Sequence, residues 1–258
     1  MIKFNKQTAD IKGIKELSDN IEKLKDLPEE TTKCDSPIVV QFEGFFYVFY
    51  TLCEEWKSRI AVARTIDFKN YEKLGTIKHC FSSDKYAFIF PERVNDKVVY
   101  IHRIEPNIQI EYFDSIEDLI SQKSWKGYEN RFEHNRVLRR KYQWEEKELG
   151  GSVPPIKTEA GWLFLYHGVD NNTTYSLGAA LLDLNNPSKV IARMPYSLLQ
   201  SEAYDALNDK SNEHLPKTFY ISGDELFLYY STEGECAKLV KINISELVDE
   251  LKSYAILK

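Results

Sequence analysis

The side chains able to do chemistry in this sequence stand at the ends of β-strand patterns rather than in one compact motif. Asp35 precedes the apolar run Pro37-Ile-Val-Val-Gln-Phe42. Lys85 precedes Ala87-Phe-Ile-Phe90, with Glu92 just after it, and Arg103 closes Val98-Val-Tyr-Ile-His-Arg103. Glu148 ends the acidic run Glu145-Glu-Lys-Glu148. His167 lies near the end of the alternating strand Gly161-Trp-Leu-Phe-Leu-Tyr-His-Gly168, and Tyr175 opens the next apolar run. These residue types offer two chemistries. Two carboxylates facing one another across a substrate can act as general acid and general base on it. Converging cationic and hydroxyl donors can hold an oxyanion, with Arg favoured where the contact is bidentate. Each residue also has a plainer reading: Asp35 as the cap of a turn before a strand, Glu148 as a solvated member of its acidic run.

The elements that must position these residues repeat along the chain. Apolar runs separated by glycine or polar turns such as Glu43-Gly44 and Gly223-Asp224 group into four units, over 37–76, 86–126, 149–194 and 216–242. Multi-strand units recurring at this spacing are the mark of a β-propeller, so the fold expected is all-β, with few helices. Ile11, Ile14, Leu17, Ile21 and Leu24 recur at helical spacing and predict one amphipathic helix over 10–26, ended by Pro28. The organisation expected is an N-terminal strand and helix segment over 1–34 and a propeller domain over 35–258. Ile2-Lys-Phe4 is placed to close the last sheet. Ser245 is expected to cap a short helix running to Lys252.

Composition narrows the partners. The chain has 258 residues and a net charge of −6, which argues against a nucleic-acid backbone or an anionic membrane surface as partner. The basic segment Arg131 to Lys141 is too short to reverse this and reads as a solvated loop. Cys34, Cys53, Cys80 and Cys236 are scattered and complete no zinc motif, so no metal or cofactor is expected. The N-terminal residues include no apolar leader and no run approaches membrane-spanning length, so the chain reads as cytoplasmic. The 16 Tyr and 14 Phe suit stacked sheets and also suit sugar platforms. Nothing identifies an oligomeric state, and a homo-oligomer stays open.

The segment from 149 to 194 is similar to glycoside hydrolase family 130, the mannoside phosphorylases and hydrolases. The resemblance is carried by Gly161-Trp-Leu…Tyr166-His-Gly168, then Tyr175-Ser-Leu-Gly-Ala-Ala-Leu-Leu-Asp-Leu184, then Pro187-Ser-Lys-Val-Ile-Ala-Arg193. It implies a five-bladed propeller acting on β-mannosides by inversion, with water or inorganic phosphate as nucleophile. It also implies an oligosaccharide or mannoside as ligand, with phosphate as a co-substrate. The family's first blade precedes its catalytic Asp. Only 34 residues precede Asp35 here, so that blade is expected to be missing or replaced by the 10–26 helix.

Carried over residue by residue, the resemblance makes Asp35 the general acid, although aligning Pro37 with the family's Asp-Pro-Arg motif puts Ser36 at the acid. It makes Lys85, Arg103, His167 and Tyr175 the phosphate ligands. Glu92, Glu202 and Glu233 become sugar contacts. A fifth phosphate ligand, a Lys in the family, is Glu148 here. A carboxylate beside phosphate is repelled by it, whereas a carboxylate facing an acid across a sugar activates water. On that ground the sequence leans to hydrolysis with Glu148 as general base, while Lys147 next door keeps phosphorolysis open. The alternative is a shortened, non-catalytic propeller that binds a sugar, an anion or a partner protein.

Overall fold

A computed structural model describes residues 5–8, 33–53, 58–79, 81, 84–104, 106–200, 216–230 and 238–256. They form four antiparallel sheets. The expected helix over 10–26 lies outside the described residues. The chain divides into two compact units, one of residues 11–105 and 109–136, the other of 1–10, 106–108 and 137–258.

In the first unit, strands β2 (Lys33–Phe42), β3 (Phe45–Cys53), β4 (Ser58–Thr65) and β5 (Glu72–Thr76) pair in order. β1 (Asn5–Thr8) belongs to the other unit. Asp67 turns the chain after β4: its carboxylate accepts from the backbone N–H groups of Lys69 and Asn70, which lets Phe68 take φ 55°. The next sheet has the order β6 (Lys85–Ile89), β7 (Val98–Ile104), β8 (Asn107–Phe113), β9 (Arg136–Leu138). A short helix, Ile116–Ile120, follows β8, capped by Ser115, whose hydroxyl accepts from Asp118 N–H.

In the second unit, β10 (Glu148–Gly151), β12 (Gly161–Val169), β13 (Tyr175–Leu182) and β14 (Val190–Arg193) form the third sheet. β11 (Ile156–Thr158) is added on β12 and β15 (Leu199–Gln200) on β13. The fourth sheet holds β16 (Pro216–Ser222), β17 (Glu225–Tyr230) and β18 (Lys238–Asn243). β1 closes it by pairing with β18, Asn5 opposite Lys241. The closing strand is thus supplied from the N-terminal end, over residues 5–8. The terminal helix runs Ile244–Lys252, and its N-cap is Asn243 rather than Ser245: the Asn243 side chain accepts from Glu246 N–H at 2.9 Å. Ser245 is taken up by the β16–β17 turn instead, donating its hydroxyl to Asp224 at 2.9 Å. The helix lays Leu247, Val248 and Leu251 into a core shared with Leu163, Leu165, Ala179, Leu181, Leu228 and Ile242.

The glycines of the 161–184 hallmark have a packing reason. The Trp144 indole stacks on Tyr166, centroids 5.6 Å apart, and lies against the backbone of β12 and β13. A Cβ on Gly168 would come within 2.7 Å of that ring. One on Gly178 would meet it at 2.4 Å and Tyr166 at 2.7 Å. Gly178→Ala is therefore expected to cost about 1–3 kcal/mol through overpacking and to shift Trp fluorescence. Urea unfolding measures it, and a loss under about 0.5 kcal/mol would show that the stack yields freely.

Candidate active site

The first unit holds four of the expected residues, Asp35, Lys85, Glu92 and Arg103. Lys85 and Arg103 are direct cross-strand partners of β6 and β7, so two cations share one face. Arg103 is 2% exposed, and its guanidinium lies 5.1 Å from the centroid of the Tyr86 ring. Their pairing depends on a β-bulge: Lys85 faces Arg103, yet Phe88 faces Ile101, so one extra residue sits in β6. Asp35 lies in β2 opposite Thr51. There too a bulge intervenes, because Ile38 faces Phe49. Glu92 is exposed in the bend after β6 and stands apart from the Lys85–Arg103 rung along the strand.

The second unit brings three more residues to one face. Glu148 is opposite Val169, which is opposite Tyr175, and Gly150 is opposite His167. Alternate residues share a face, so Glu148, His167 and Tyr175 lie on the same side of the third sheet. The rings of His167 and Tyr175 are 6.1 Å apart by centroid, and His167 Nδ1 lies 3.3 Å from the Ser152 hydroxyl. Lys147 is exposed, with its backbone N–H spent on Val169 O at 2.8 Å. Glu202 and Glu233 lie outside the described residues.

Two buried polar clusters support these faces, and neither was legible in the sequence. In the first unit Asp84, wholly buried, receives His79 Nε2 at 2.7 Å, with Tyr100 Oη and His102 Nδ1 each at 3.3 Å. Burial alone would raise this carboxyl. The charge of His102 and the hydrogen bonds from His102 and His79 outweigh it and hold it well below the usual carboxylate range. The cluster continues through His102 Nε2 to Tyr128 Oη at 2.8 Å. Glu111, bonded by the Asn135 amide, is shifted the other way, upward, because burial dominates there. His79, Asp84 and His102 present ligand atoms within 4.8 Å of one another, as a metal site would. The hydrogen bonds decide against that use. Phe81 N–H donates to His79 Nδ1, so the proton is on Nε2, the atom aimed at Asp84, which has no lone pair left for a metal.

In the second unit Glu145 is wholly buried. One oxygen accepts from Arg193 Nη2 at 2.6 Å and Tyr166 Oη at 2.8 Å; the other accepts from the backbone N–H groups of Lys141 and Tyr142. Arg193 also donates to Tyr166 Oη and to Arg139 O, and stacks on Tyr142 and Tyr166. This cluster fastens the 139–147 segment, and with it the start of β10 where Glu148 stands, to β12 and β14. No spacing signal pairs Glu145 with a residue 48 positions away. The basic segment 131–141 thus contains backbone that is bound into the structure, not only a solvated loop.

The four sheets bring cations, carboxylates and aromatic rings onto shared faces. The family model described as beta-1,4-mannooligosaccharide phosphorylase matches residues 5–253, and the chain belongs to glycoside hydrolase family 130. It is 31% identical to the 1,2-beta-oligomannan phosphorylase of Thermoanaerobacter sp. (strain X514), over 86% of this chain and 71% of that protein. It is 34% identical to the beta-1,2-mannobiose phosphorylase of the same organism, over 80% of this chain and 65% of the relative. The solved beta-1,2-mannobiose phosphorylase of Listeria innocua, in complex with beta-1,2-mannobiose, superposes with a TM-score of 0.70 at 29% identity, covering 85% of this chain and 61% of that one. The chain spans about two thirds of the length of these relatives. The fold is the family's propeller, with four blade sheets among the described residues. No described helix is long and apolar enough to cross a membrane.

Proposed function

We propose that this chain is a β-mannoside phosphorylase. Inorganic phosphate attacks the anomeric carbon from the face opposite the leaving group. The glycosidic C–O bond breaks, and Asp35 passes its proton to the departing oxygen, so a mannoside and phosphate become mannose 1-phosphate and the released acceptor. Lys85 and Arg103 hold phosphate, with His167 and Tyr175 as further ligands. Glu92, Glu202 and Glu233 are assigned to the sugar. The observation that carries the reading is the Lys85–Arg103 rung: two cations directly opposed on one face, Arg103 almost fully buried, an arrangement that favours an anion. Relatives named as phosphorylases support the same choice, against the sequence's lean to water.

A second reading, hydrolysis, is favoured by one observation. Glu148 shares its face with His167 and Tyr175 where the family pattern has a cation. The two readings part on Glu148→Gln. In a phosphorylase the substitution removes a repelling charge, and the phosphate KM is expected to hold or fall by about threefold, roughly the effect of one weak charge pair. In a hydrolase it removes the base, and turnover falls by about 10²-fold or more. The assay supplies β-1,2- and β-1,4-linked manno-oligosaccharides with and without phosphate and resolves mannose from mannose 1-phosphate. Phosphate-dependent mannose 1-phosphate is the expected product. Mannose released without phosphate would establish the hydrolase, and binding without either product the non-catalytic propeller.

A further inference from the structure

Tyr86 occupies a backbone conformation that aromatic residues rarely adopt. Its φ is 53°, in the left-handed region, where glycine or asparagine is the ordinary occupant. It sits inside the β6 bulge, between Lys85, which faces Arg103, and Phe88, which faces Ile101. Bulges beside functional sites re-aim side chains, and backbone strain retained at such a place points to a role. Here the role has a visible partner. The Arg103 guanidinium lies over the Tyr86 ring at 5.1 Å, with Tyr86 6% and Arg103 2% exposed. A cation on an aromatic face gains most when both are withdrawn from water. Next along the chain from Lys85 and Arg103, Asp84 and His102 are bonded to each other in the buried cluster, which holds both strands from behind.

We propose that Tyr86 is a positioning residue for the anion site. Its ring orients the Arg103 guanidinium for bidentate contact with an oxyanion, and the bulge it occupies sets Lys85 opposite Arg103. The inference rests on the phosphorylase reading, in which that oxyanion is inorganic phosphate.

The test titrates the purified full chain with inorganic phosphate by calorimetry and measures phosphate KM and mannoside KM in parallel. Tyr86→Leu keeps an apolar side chain at the same φ but has no π-face. Its phosphate Kd and KM are expected to rise about 5- to 30-fold, while mannoside KM holds. Tyr86→Phe, which keeps the ring, is expected to retain tight phosphate binding. Tyr86→Gly, which the left-handed backbone accepts, is the second variant if the leucine protein does not fold, and is expected to show the same rise as leucine. Unchanged phosphate affinity in a folded Leu or Gly variant overturns the positioning role and leaves the phosphorylase reading standing. An equal rise in mannoside KM assigns Tyr86 a general structural role and also overturns it. A wild-type chain that neither binds phosphate nor depends on it overturns both.

Discussion

Asp35→Asn is expected to lower phosphorolysis by about 10²- to 10⁴-fold while leaving the protein folded and able to bind phosphate. The proposed reaction needs a proton on the glycosidic oxygen as the C–O bond breaks, and an amide cannot give one. Residue 35 lies near the start of β2, ahead of the bulge that separates the Asp35–Thr51 pair from the Ile38–Phe49 pair. The bulge matters to the assignment. Aligning Pro37 with the family motif shifts Asp35 by one residue, and a one-residue slip on a regular strand turns a side chain to the opposite face. The backbone of β2 carries one extra residue between Asp35 and Ile38, so the rule for a regular strand does not run across it. Product formation with and without phosphate, read against Ser36→Ala, is the measurement. Activity retained in Asp35→Asn and lost in Ser36→Ala would remove Asp35 from the mechanism.

Arg193→Met is expected to destabilise the protein by about 3–5 kcal/mol, the loss that follows when one partner of a buried ion pair is removed. Arg193 is the sole cation that the described hydrogen bonds place on the Glu145 carboxylate, which is wholly buried. Without it that carboxylate keeps the Tyr166 hydroxyl and two backbone N–H groups but no counter-charge. Burial works against the Arg193 cation, but Tyr166 and Glu145 outweigh it and hold the guanidinium firmly charged. Since a domain's net stability is about 5–15 kcal/mol, such a loss takes much of it. Urea unfolding followed through Trp fluorescence gives the value. The double variant Glu145→Gln with Arg193→Met should cost less than the two single changes added together, because each removes the other's stranded partner. A loss below about 1 kcal/mol in Arg193→Met would show that water reaches Glu145.

Much of this protein was decided locally and could be read from the chain. Strand periodicity and glycine turns define the four sheets, because alternation of apolar residues depends only on neighbours two positions apart. The hallmark from Gly161 to Arg193 carried the family, and most of its glycines and apolar residues stand in β12, β13 or β14. The cations Lys85 and Arg103, and the set Glu148, His167 and Tyr175, were marked by their match to the family pattern. What placed them on shared faces was register, and for Lys85 with Arg103 the register turns on a bulge that spacing does not announce: two residues against one between the rungs, as again between Asp35 and Ile38. The N-cap moved from Ser245 to Asn243 because a turn elsewhere, at Asp224, competes for the serine. The supporting charges, Asp84 among His79, Tyr100 and His102, and Glu145 with Arg193, belong to tertiary structure alone. A buried carboxylate is tolerable only once distant chain segments have brought donors to it, and no local pattern records which donors those will be.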